Sequence, residues 1–398
     1  EITTRLVGSE MCIRDREKTI AGKKYCIFSA QYLPHMGGVE NYTYHLAKEL
    51  VERGNSVTIV TCNVEKVKIY EKCAGITVCR IPCFNFISGR FPIPKFDKEF
   101  RKIHRLIARQ SYDMIIVNTR FYVHSLYGVI FGKKHKCRTI LIEHGTGHLT
   151  LHNKFLDFIE NIVEHTMTFL EKKICKEFYG VSGACLEWLK HFHIEGKGTL
   201  YNAIDLEEIR RQLEQPVYSF KEKYHIPEDS EVISFTGRLL KEKGIITLVK
   251  AFNEISQSDS KKYLFIAGNG DEYETIEKMK NDHVILLGRI TSEEVTALLK
   301  ETNIFCLPSD SEGMPTSVLE AAACKCYIVT TKYGGAKELI LDDSYGIVME
   351  NNKLETVKTA LETAFADSCV RIKGEEKTYH RLESYFTWGK VADKLLNL

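Results

Sequence analysis

Short apolar runs alternate with amphipathic stretches twice along this chain, and this alternation limits the fold more than any other feature. In the first set, apolar residues 25–29 and 57–61 flank residues 39–53, whose apolar side chains recur with helical spacing. A second set begins at residues 232–236 and continues to the C-terminus. Such strand–helix–strand units form parallel sheets with helices on both faces. We predict an α/β fold with two doubly wound, Rossmann-like domains that face a central cleft.

The chain divides near residues 195–203, where the first alternating set ends. At 398 residues it exceeds one ordinary domain. We predict one domain over residues 17–198 and another over residues 199–398, with a last helix that can pack back on the first domain. Residues 1–16 lack usable periodicity, and residues 7–16 resemble translated read-through of a sequencing adapter. We therefore predict a non-native or disordered leader over residues 1–16.

Composition favours a globular cytoplasmic protein. No apolar run approaches the roughly 18 residues that a membrane-spanning helix needs, and the N-terminus lacks the basic start and apolar core of a signal peptide. The 13 cysteines are scattered without metal-ligand spacing, which favours reduced thiols. We expect no metal site among them.

Charge is distributed unevenly along the chain. The net charge is +2, yet residues 17–197 contain 27 Lys and Arg against 17 Asp and Glu. This excess indicates either an anionic membrane surface or an anionic substrate, or else ordinary solvated helix faces. Nucleic acid is not an expected partner, because aromatic residues do not interleave with the basic clusters as a stacking platform requires.

One stretch, residues 308–321, combines features of a ligand site. It follows a predicted buried strand, and Pro315 suits the first position of a helix. A helix N-terminus favours an anion such as phosphate. Glu312 and Glu320 bracket that terminus, at most roughly 12 Å apart along a helix axis. Two interpretations remain open: the carboxylates hold the two ends of an extended ligand, or they are a solvated and a capping side chain.

Other polar and glycine-rich turns also follow predicted strands, and the carboxyl ends of parallel strands are where ligands of open α/β sheets bind. Arg238 and Lys243 follow the first strand of the second set. Two fixed cations there suit a diphosphate, although structural ion pairs are an alternative. The remaining turns at strand ends are Gly37-Gly38, His144-Gly145, Gly268-Asn269-Gly270, Gly288-Arg289 and Gly334-Gly335.

Taken together, these motifs resemble the signature of glycosyltransferase family 4 (glycosyl transferases group 1). The motifs that carry the resemblance are Gly237-Arg238, Lys243-Gly244, Gly268-Asn269-Gly270, Pro308-Ser309, Glu312-Gly313-Met314-Pro315, Leu319-Glu320-Ala321 and Gly334-Gly335 with Glu338. The resemblance covers about residues 24–398 and is strongest over residues 231–347. One departure is Ala323-Cys324-Lys325-Cys326-Tyr327, which lacks the Gly and Pro of the family's Ala-x-Gly-x-Pro turn.

The resemblance implies a GT-B fold and a retaining transfer with no cofactor and no obligatory metal. It implies that Glu320 binds the ribose hydroxyls and that Glu312 holds the donor sugar. Arg238 and Lys243 would bind the diphosphate, and His144 would lie near the donor sugar; these two cations, Glu312 and His144 form the implied catalytic group. The other implied donor-binding residues are Gly37, Gly38, Gly237, Gly268, Gly270, Arg289, Gly313, Met314, Pro315 and Thr316.

The predicted function is therefore transfer of a sugar from a nucleotide-sugar, with a UDP-sugar favoured and a GDP-sugar possible. The second domain would bind this donor, and the first would bind a glycan or lipid-linked acceptor for cell-surface polysaccharide or glycolipid synthesis. Peripheral contact with the anionic inner face of the plasma membrane fits the basic first half. Two alternatives are a nucleotide-sugar epimerase on the same fold and a non-catalytic nucleotide-sugar-binding protein.

Overall fold

The structure, a computed structural model, describes residues 22–35, 37–86, 91–148, 153–215 and 218–398. The predicted leader over residues 1–16 lies outside these ranges. Two parallel sheets flanked by helices dominate the described residues.

The first sheet has eight strands in the order β10-β9-β8-β7-β1-β2-β4-β3, and a separate hairpin pairs β5 with β6. All neighbours in this sheet are parallel except β3 and β4. The elements in chain order are β1 (Lys24–Ser29), α1 (Gly38–Glu52), β2 (Ser56–Cys62), β3 (Tyr70–Cys73), β4 (Ile76–Ile81), β5 (Cys83–Phe86), β6 (Phe91–Pro94), α2 (Lys98–Ala108), β7 (Met114–Asn118), α3 (Val123–Lys134), β8 (Arg138–Glu143), α4 (Lys154–Ile174), β9 (Glu177–Gly180), α5 (Gly183–His191) and β10 (Gly198–Thr199).

The second sheet has six parallel strands in the order β13-β12-β11-β14-β15-β16. Its elements are α6 (Leu206–Glu214), α7 (Phe220–Lys223), β11 (Glu231–Thr236), α8 (Ile245–Ser256), β12 (Lys262–Ala267), α9 (Tyr273–Met279), β13 (Val284–Gly288), α10 (Ser292–Lys300), β14 (Ile304–Leu307), α11 (Thr316–Ala323), β15 (Tyr327–Thr331), α12 (Ala336–Leu339), β16 (Ile347–Met349), α13 (Leu354–Ala366), α14 (Ser368–Tyr385) and α15 (Trp388–Leu396).

Each sheet reverses its strand order at one point, and such switch points are where ligands bind in open α/β sheets. In the first sheet β1 lies between β2 and β7, and in the second β11 lies between β12 and β14. The central strands are apolar because helices cover both faces, and every residue of β14 is buried. This architecture confirms the predicted fold class.

The helix predicted over residues 39–53 is observed as α1, Gly38–Glu52. Asp205 caps α6, because its carboxylate accepts a hydrogen bond from the backbone N–H of Glu208 at 3.0 Å. Pro315 differs by one position: it has φ −71° and ψ 119° and precedes α11, which begins at Thr316. Lys325 adopts a left-handed φ of 58°, at the position where the resembled family has glycine.

The C-terminal helix α15 packs against α1 of the first sheet. The ring of Trp388 stacks on His45 at a centroid distance of 5.4 Å and meets Tyr42 edge-on at 5.2 Å. Arg53 also donates to the carbonyl of Gly389 at 2.8 Å. The chain therefore links its two sheets both at residues 200–206 and through its last helix. Among the helices that the structure describes, none has the length and apolar character needed to cross a membrane.

Candidate functional site

The loop between β14 and α11 lies at the switch point of the second sheet and is tied to the turn after β11. The backbone N–H of Asp310 donates to the carbonyl of Glu242 at 2.7 Å, and the Ser309 hydroxyl donates to the same oxygen at 3.0 Å. Thr331, at the end of β15, donates to the carbonyl of Ser309. The loop is thus held from both neighbouring strands.

A glycine makes this junction possible. Gly244 precedes α8 in a left-handed conformation, with φ +68°. A Cβ atom at this position would lie only 1.9 Å from the carbonyl oxygen of Pro308. Glycine tolerates both the conformation and the close approach. The turn that carries Lys243 can therefore sit directly against the loop that carries Glu312.

Lys243 and Glu312 form an ion pair inside the cleft. The Lys243 ammonium nitrogen Nζ lies 2.5 Å from Oε1 of Glu312, and the two side chains are only 19% and 11% exposed. The two candidate residues that the sequence placed 69 positions apart are therefore in direct contact. Each is held by its partner and still faces the cavity.

The Glu312 loop also contacts the first domain. Thr146, after β8, donates its hydroxyl to the carbonyl of Glu312 at 2.8 Å. The side-chain amide of Asn202, in the connector that follows the first domain, donates to the carbonyl of Met314 at 2.9 Å. A Cβ on Gly313 would lie 2.4 Å from the carbonyl oxygen of His144, so this close approach of two backbones requires glycine. The carboxyl edges of both sheets thus meet at one loop.

The ring of His144 packs against side chains of the first domain. Its ring meets Tyr42 edge-on at 4.8 Å, and its Nε2 lies 3.3 Å from Oδ1 of Asn118. Asn118 donates its amide to Thr43 at 2.7 Å, and the Thr43 hydroxyl donates to the carbonyl of Val39. In this series of hydrogen bonds the Asn118 amide nitrogen is a donor, so Oδ1 of Asn118 is left as an acceptor. Nε2 of His144, which faces that oxygen, therefore carries the proton. Burial lowers the pKa of His144 to about 3, so the ring is neutral at physiological pH.

A buried ion pair sets the backbone around His144. One oxygen of Glu143 accepts from the backbone N–H groups of His144 and Gly145, at 3.0 and 2.8 Å. The other lies 2.5 Å from Nε of Arg120, and both side chains are 1% exposed. Sequence reasoning missed this pair, because neither residue belongs to a glycine turn or a known motif. The loop after β8 is therefore fixed from beneath by charge-assisted hydrogen bonds.

Glu320 lies in α11, five residues after Pro315, and faces the same cavity. Burial raises the pKa of its carboxyl group above the ordinary value. A half-buried carboxylate that borders a cavity is suited to accept hydrogen bonds from ligand hydroxyls.

Two adjoining cavities gather the predicted residues. The first has a volume of about 500 Å³. The predicted residues that line it are Gly38, His144, Gly237, Arg238, Lys243, Glu312, Gly313, Met314, Pro315, Thr316 and Glu320. The second, of about 670 Å³, shares Gly237 and Arg238 and adds Gly268, Gly270 and Arg289. Gly37 borders neither of them and instead precedes α1.

Seven lining residues of the first cavity escaped the sequence analysis. They are Val39, Val181, Asn202, Thr236, Val295, Leu307 and Ser317. Most are apolar strand ends or helix residues, which no polar motif distinguishes. Asn202 could have been found, since it stands in the connector between the two alternating sets. Of the residues that the structure describes, only His148, His165 and His191 form a group of three or more potential metal ligands, and this group lies outside both cavities.

Two family models match the chain. The model described as glycosyl transferases group 1 matches residues 218–385, and that of glycosyltransferase family 4 matches residues 36–208. An uncharacterized glycosyltransferase of Methanocaldococcus jannaschii is 26% identical over 92% of this chain and 95% of its own length. The GPI3 subunit of phosphatidylinositol N-acetylglucosaminyltransferase from Saccharomyces cerevisiae is 24% identical, covering 92% of this chain and 80% of that protein.

Solved structures share the fold. Sucrose-phosphate synthase from Thermosynechococcus elongatus superposes with a TM-score of 0.73 at 16% identity, covering 94% of this chain and 98% of that one. Anabaena HepE in complex with UDP gives a TM-score of 0.71 at 15% identity, with the same two coverages. HepE in complex with UDP-glucose gives 0.68 at 16% identity, over 94% and 100% of the two chains.

Proposed function

Because this chain belongs to glycosyltransferase family 4 (glycosyl transferases group 1) and has the GT-B fold, we propose that it is a retaining glycosyltransferase that uses a UDP-sugar donor. The observation that carries this proposal is the Lys243–Glu312 pair in the cleft, directly before α11. Glycosyltransferase activity follows from the family, whereas the donor, the acceptor and the stereochemistry are our proposals.

In the proposed complex, the diphosphate lies at the start of α11, between Arg238 and Lys243. Lys243 exchanges Glu312 for a phosphate oxygen, and Glu312 turns to the hydroxyls of the donor sugar. The attraction between both cations and the departing phosphate then increases as negative charge develops on that phosphate. That phosphate helps to remove the acceptor's proton, and no carboxylate is assigned as a nucleophile. The proposed transfer needs no metal and no cofactor.

The nucleoside extends toward the second cavity in this proposal. Glu320 accepts hydrogen bonds from the ribose hydroxyls, and the backbone at Arg289 contacts the base. Gly268 and Gly270 line that second cavity. A Cβ on Gly268 would lie 1.8 Å from the carbonyl oxygen of Gly237, and one on Gly270 would lie 2.5 Å from that of Leu239, so these glycines let two backbone turns pack closely beside the cavity. The UDP and UDP-glucose complexes of HepE support a uridine donor here, with a GDP-sugar as the second candidate.

His144 faces the donor sugar from the first domain in our proposal. Its neutral ring cannot supply a positive charge, so it acts as a hydrogen-bonding and packing partner. Because Nε2–H is directed at Asn118, Nδ1 is the nitrogen left to accept a hydrogen bond.

A lipid-linked acceptor is favoured by the surface of α4. One side of this helix exposes a row of large apolar residues at helical spacing: Phe155, Leu156, Phe158, Ile159, Ile162, Phe169 and Leu170. Lys172, Lys173 and Lys176 follow near its end. An exposed apolar row beside cations is suited to the interface of an anionic membrane. The Saccharomyces cerevisiae relative is a subunit of a phosphatidylinositol N-acetylglucosaminyltransferase, which supports the same class of acceptor.

Donor identity can be tested by isothermal titration with UDP-, GDP- and ADP-sugars, followed by NMR analysis of the product linkage. The proposal expects the UDP-sugar to bind most tightly and the anomeric configuration of the donor to be kept. Inverted configuration would contradict the retaining assignment. Conversion of the donor alone to a second nucleotide-sugar would favour the epimerase, and binding without any transfer would favour a non-catalytic role.

Membrane contact can be tested by co-sedimentation with vesicles that contain phosphatidylinositol or phosphatidylserine. We expect Phe158→Ser and Ile162→Ser to reduce the bound fraction several-fold. Ile372→Ser is the matched control, because Ile372 is 58% exposed on α14, far along the chain in the second domain. Equal binding by all variants, or no binding by the unaltered protein, would contradict the membrane proposal and leave the donor proposal intact.

A further inference from the structure

We infer that the first domain contains a Zn²⁺ site built from His148, His165 and His191. The three residues come from the loop after β8, from α4 and from the last position of α5. One ligand nitrogen of each lies within 4.8 Å of the others. Two nitrogens bound to one tetrahedral zinc ion lie about 3.4 Å apart, given Zn–N bonds of roughly 2.1 Å. Side-chain rotations that bring the nitrogens closer by up to about 1.4 Å therefore place all three on one ion.

A buried carboxylate orients the first of these ligands. Nδ1 of His148 lies 2.6 Å from Oε2 of Glu164, whose side chain is 1% exposed. The other Glu164 oxygen lies 2.6 Å from Nη2 of Arg120. Zinc-bound histidines commonly donate their second ring nitrogen to such a carboxylate, which fixes the tautomer and the ring orientation. This arrangement leaves Nε2 of His148 free to bind the ion.

Aromatic side chains hold the other two rings. Trp188 stacks on His191 at 4.8 Å with an interplanar angle of 3°. Phe192 contacts the ring of His165 at 4.8 Å. The rings of His165 and His191 lie 5.2 Å apart between their centroids. These contacts restrict the two rings, so less conformational freedom is lost when they bind a metal.

The ligand set points to zinc among the common metals. Imidazole suits Zn²⁺ better than it suits Mg²⁺ or Ca²⁺, which prefer oxygen ligands. Three histidines leave one position of a tetrahedral ion for water. His165 and His191 are exposed, so an ion can enter from solvent.

A bound zinc ion would restrain the position of residues 144–148 rather than take part in a reaction. His148 ends the segment that begins with His144 and includes Thr146, the residue that donates to the Glu312 carbonyl. A zinc ion would tie the far end of this segment to α4 and α5. None of the three histidines borders the cleft cavities, so the ion has no assigned part in sugar transfer, and the inference does not rest on the proposed function.

The test uses the full chain without an affinity tag, treated with chelator and then titrated calorimetrically with Zn²⁺ alone. We expect one equivalent to bind, and His165→Ala and His191→Ala each to weaken that binding at least 100-fold. Glu164→Gln should weaken it about 10–100-fold. His380→Ala is the control, because His380 is 70% exposed on α14. Circular dichroism checks that each variant is folded.

The chain has 13 cysteines that could also bind a metal ion. Co²⁺ substitution distinguishes binding at the histidines from binding at cysteines. Co²⁺ bound to imidazoles gives weak visible bands, whereas thiolate ligands add intense charge-transfer absorption. We expect the weak bands alone, and we expect them to disappear in His191→Ala. The inference would be overturned by any of three results. The unaltered protein binds no Zn²⁺, both histidine variants still bind one equivalent with unchanged affinity, or bound Co²⁺ shows thiolate charge-transfer bands.

Discussion

The Lys243 ammonium group and the Glu312 carboxylate meet at 2.5 Å across the switch point of the second sheet. Lys243 lies in the connection between β11 and α8, and Glu312 lies in the loop between β14 and α11. In this arrangement the two charges neutralise each other. In the proposed complex, a diphosphate donor separates them by offering Lys243 an anion and Glu312 a set of hydroxyl groups.

Glu312→Ala is expected to reduce transfer at least about 100-fold, because the proposed contact between the Glu312 carboxylate and the donor-sugar hydroxyls is lost. The affinity for UDP should stay unchanged or rise slightly, since Lys243 loses its competing partner. Transfer assays and calorimetry with UDP measure the two effects. The control is Glu277→Ala, whose side chain is 51% exposed. A parallel loss of UDP affinity would contradict this division of roles.

Lys243→Met and Arg238→Met are expected to weaken UDP binding about 10–100-fold, which corresponds to the roughly 1.5–3 kcal/mol of a charge-assisted hydrogen bond. Uridine binding should be unaffected, since uridine lacks the diphosphate. Calorimetry with both ligands checks this difference. Lys278→Met, on α9, serves as the control. Equal losses for uridine and UDP would place these cations away from the phosphates.

UDP affinity is expected to depend on the ionisation of Glu320. Burial raises the pKa of its carboxyl group, and protonation replaces the charged acceptor proposed for the ribose hydroxyls with a weaker, neutral one. Affinity should therefore fall on acidification at a higher pH than an ordinary glutamate would produce. Glu320→Gln should lower affinity at neutral pH and flatten the profile. Calorimetry from pH 8 to pH 5 tests this, and an unchanged profile in the variant would assign the pH dependence to another group.

Gly244→Ala and Gly288→Ala form a matched pair, since both glycines have φ +68°. The left-handed conformation costs an alanine about 1–2 kcal/mol at either position. Only at Gly244 would the new Cβ also strike the Pro308 carbonyl, because Gly288 has open space around it within the described part of the chain. We expect a larger fall in the urea midpoint for Gly244→Ala, together with weaker UDP binding. Equal effects of the two substitutions would show that the contact with Pro308 is unimportant.

Glu160→Gln is expected to stabilise the protein above pH 7. Burial raises the pKa of Glu160 to about 7, and neither carboxylate oxygen has a hydrogen-bond partner among the residues that the structure describes. The folded state therefore binds this proton more tightly than the unfolded chain, so ionisation destabilises the fold. The gain should reach up to about 3 kcal/mol at pH 8 and vanish as pH falls from 7 toward 4.5.

Urea denaturation across that pH range measures the effect. Glu187→Gln is the control, since Glu187 is 71% exposed on α5. A gain that persists unchanged at pH 4.5 would show that shape rather than charge causes it.

The sequence predicted the second sheet more fully than the first. Its strands are continuous apolar runs followed by glycine or cation motifs, so β11 and β14 could be recognised together with Gly237, Arg238 and Glu312. In the first domain, the antiparallel edge strand β3, the parallel strand β4 and the hairpin of β5 and β6 were not predicted. Three of them, β3, β5 and β6, have only four residues each, which is too short for a recognisable hydrophobic period. β4 is longer, but its place in the sheet depends on pairing with β2 on one side and β3 on the other.

The sequence by itself determined the residue types, the alternation and the turns, because these depend on local conformational preference and on spacing along the chain. It could not determine that Lys243 faces Glu312, that Glu143 and Arg120 fix the His144 loop, or that three histidines converge behind that loop. Those relationships depend on how the two sheets and their helices pack, and a charge takes its partner and its pKa from that three-dimensional environment. The ion pair in the cleft, and with it the proposed exchange on donor binding, was decided only by the tertiary structure.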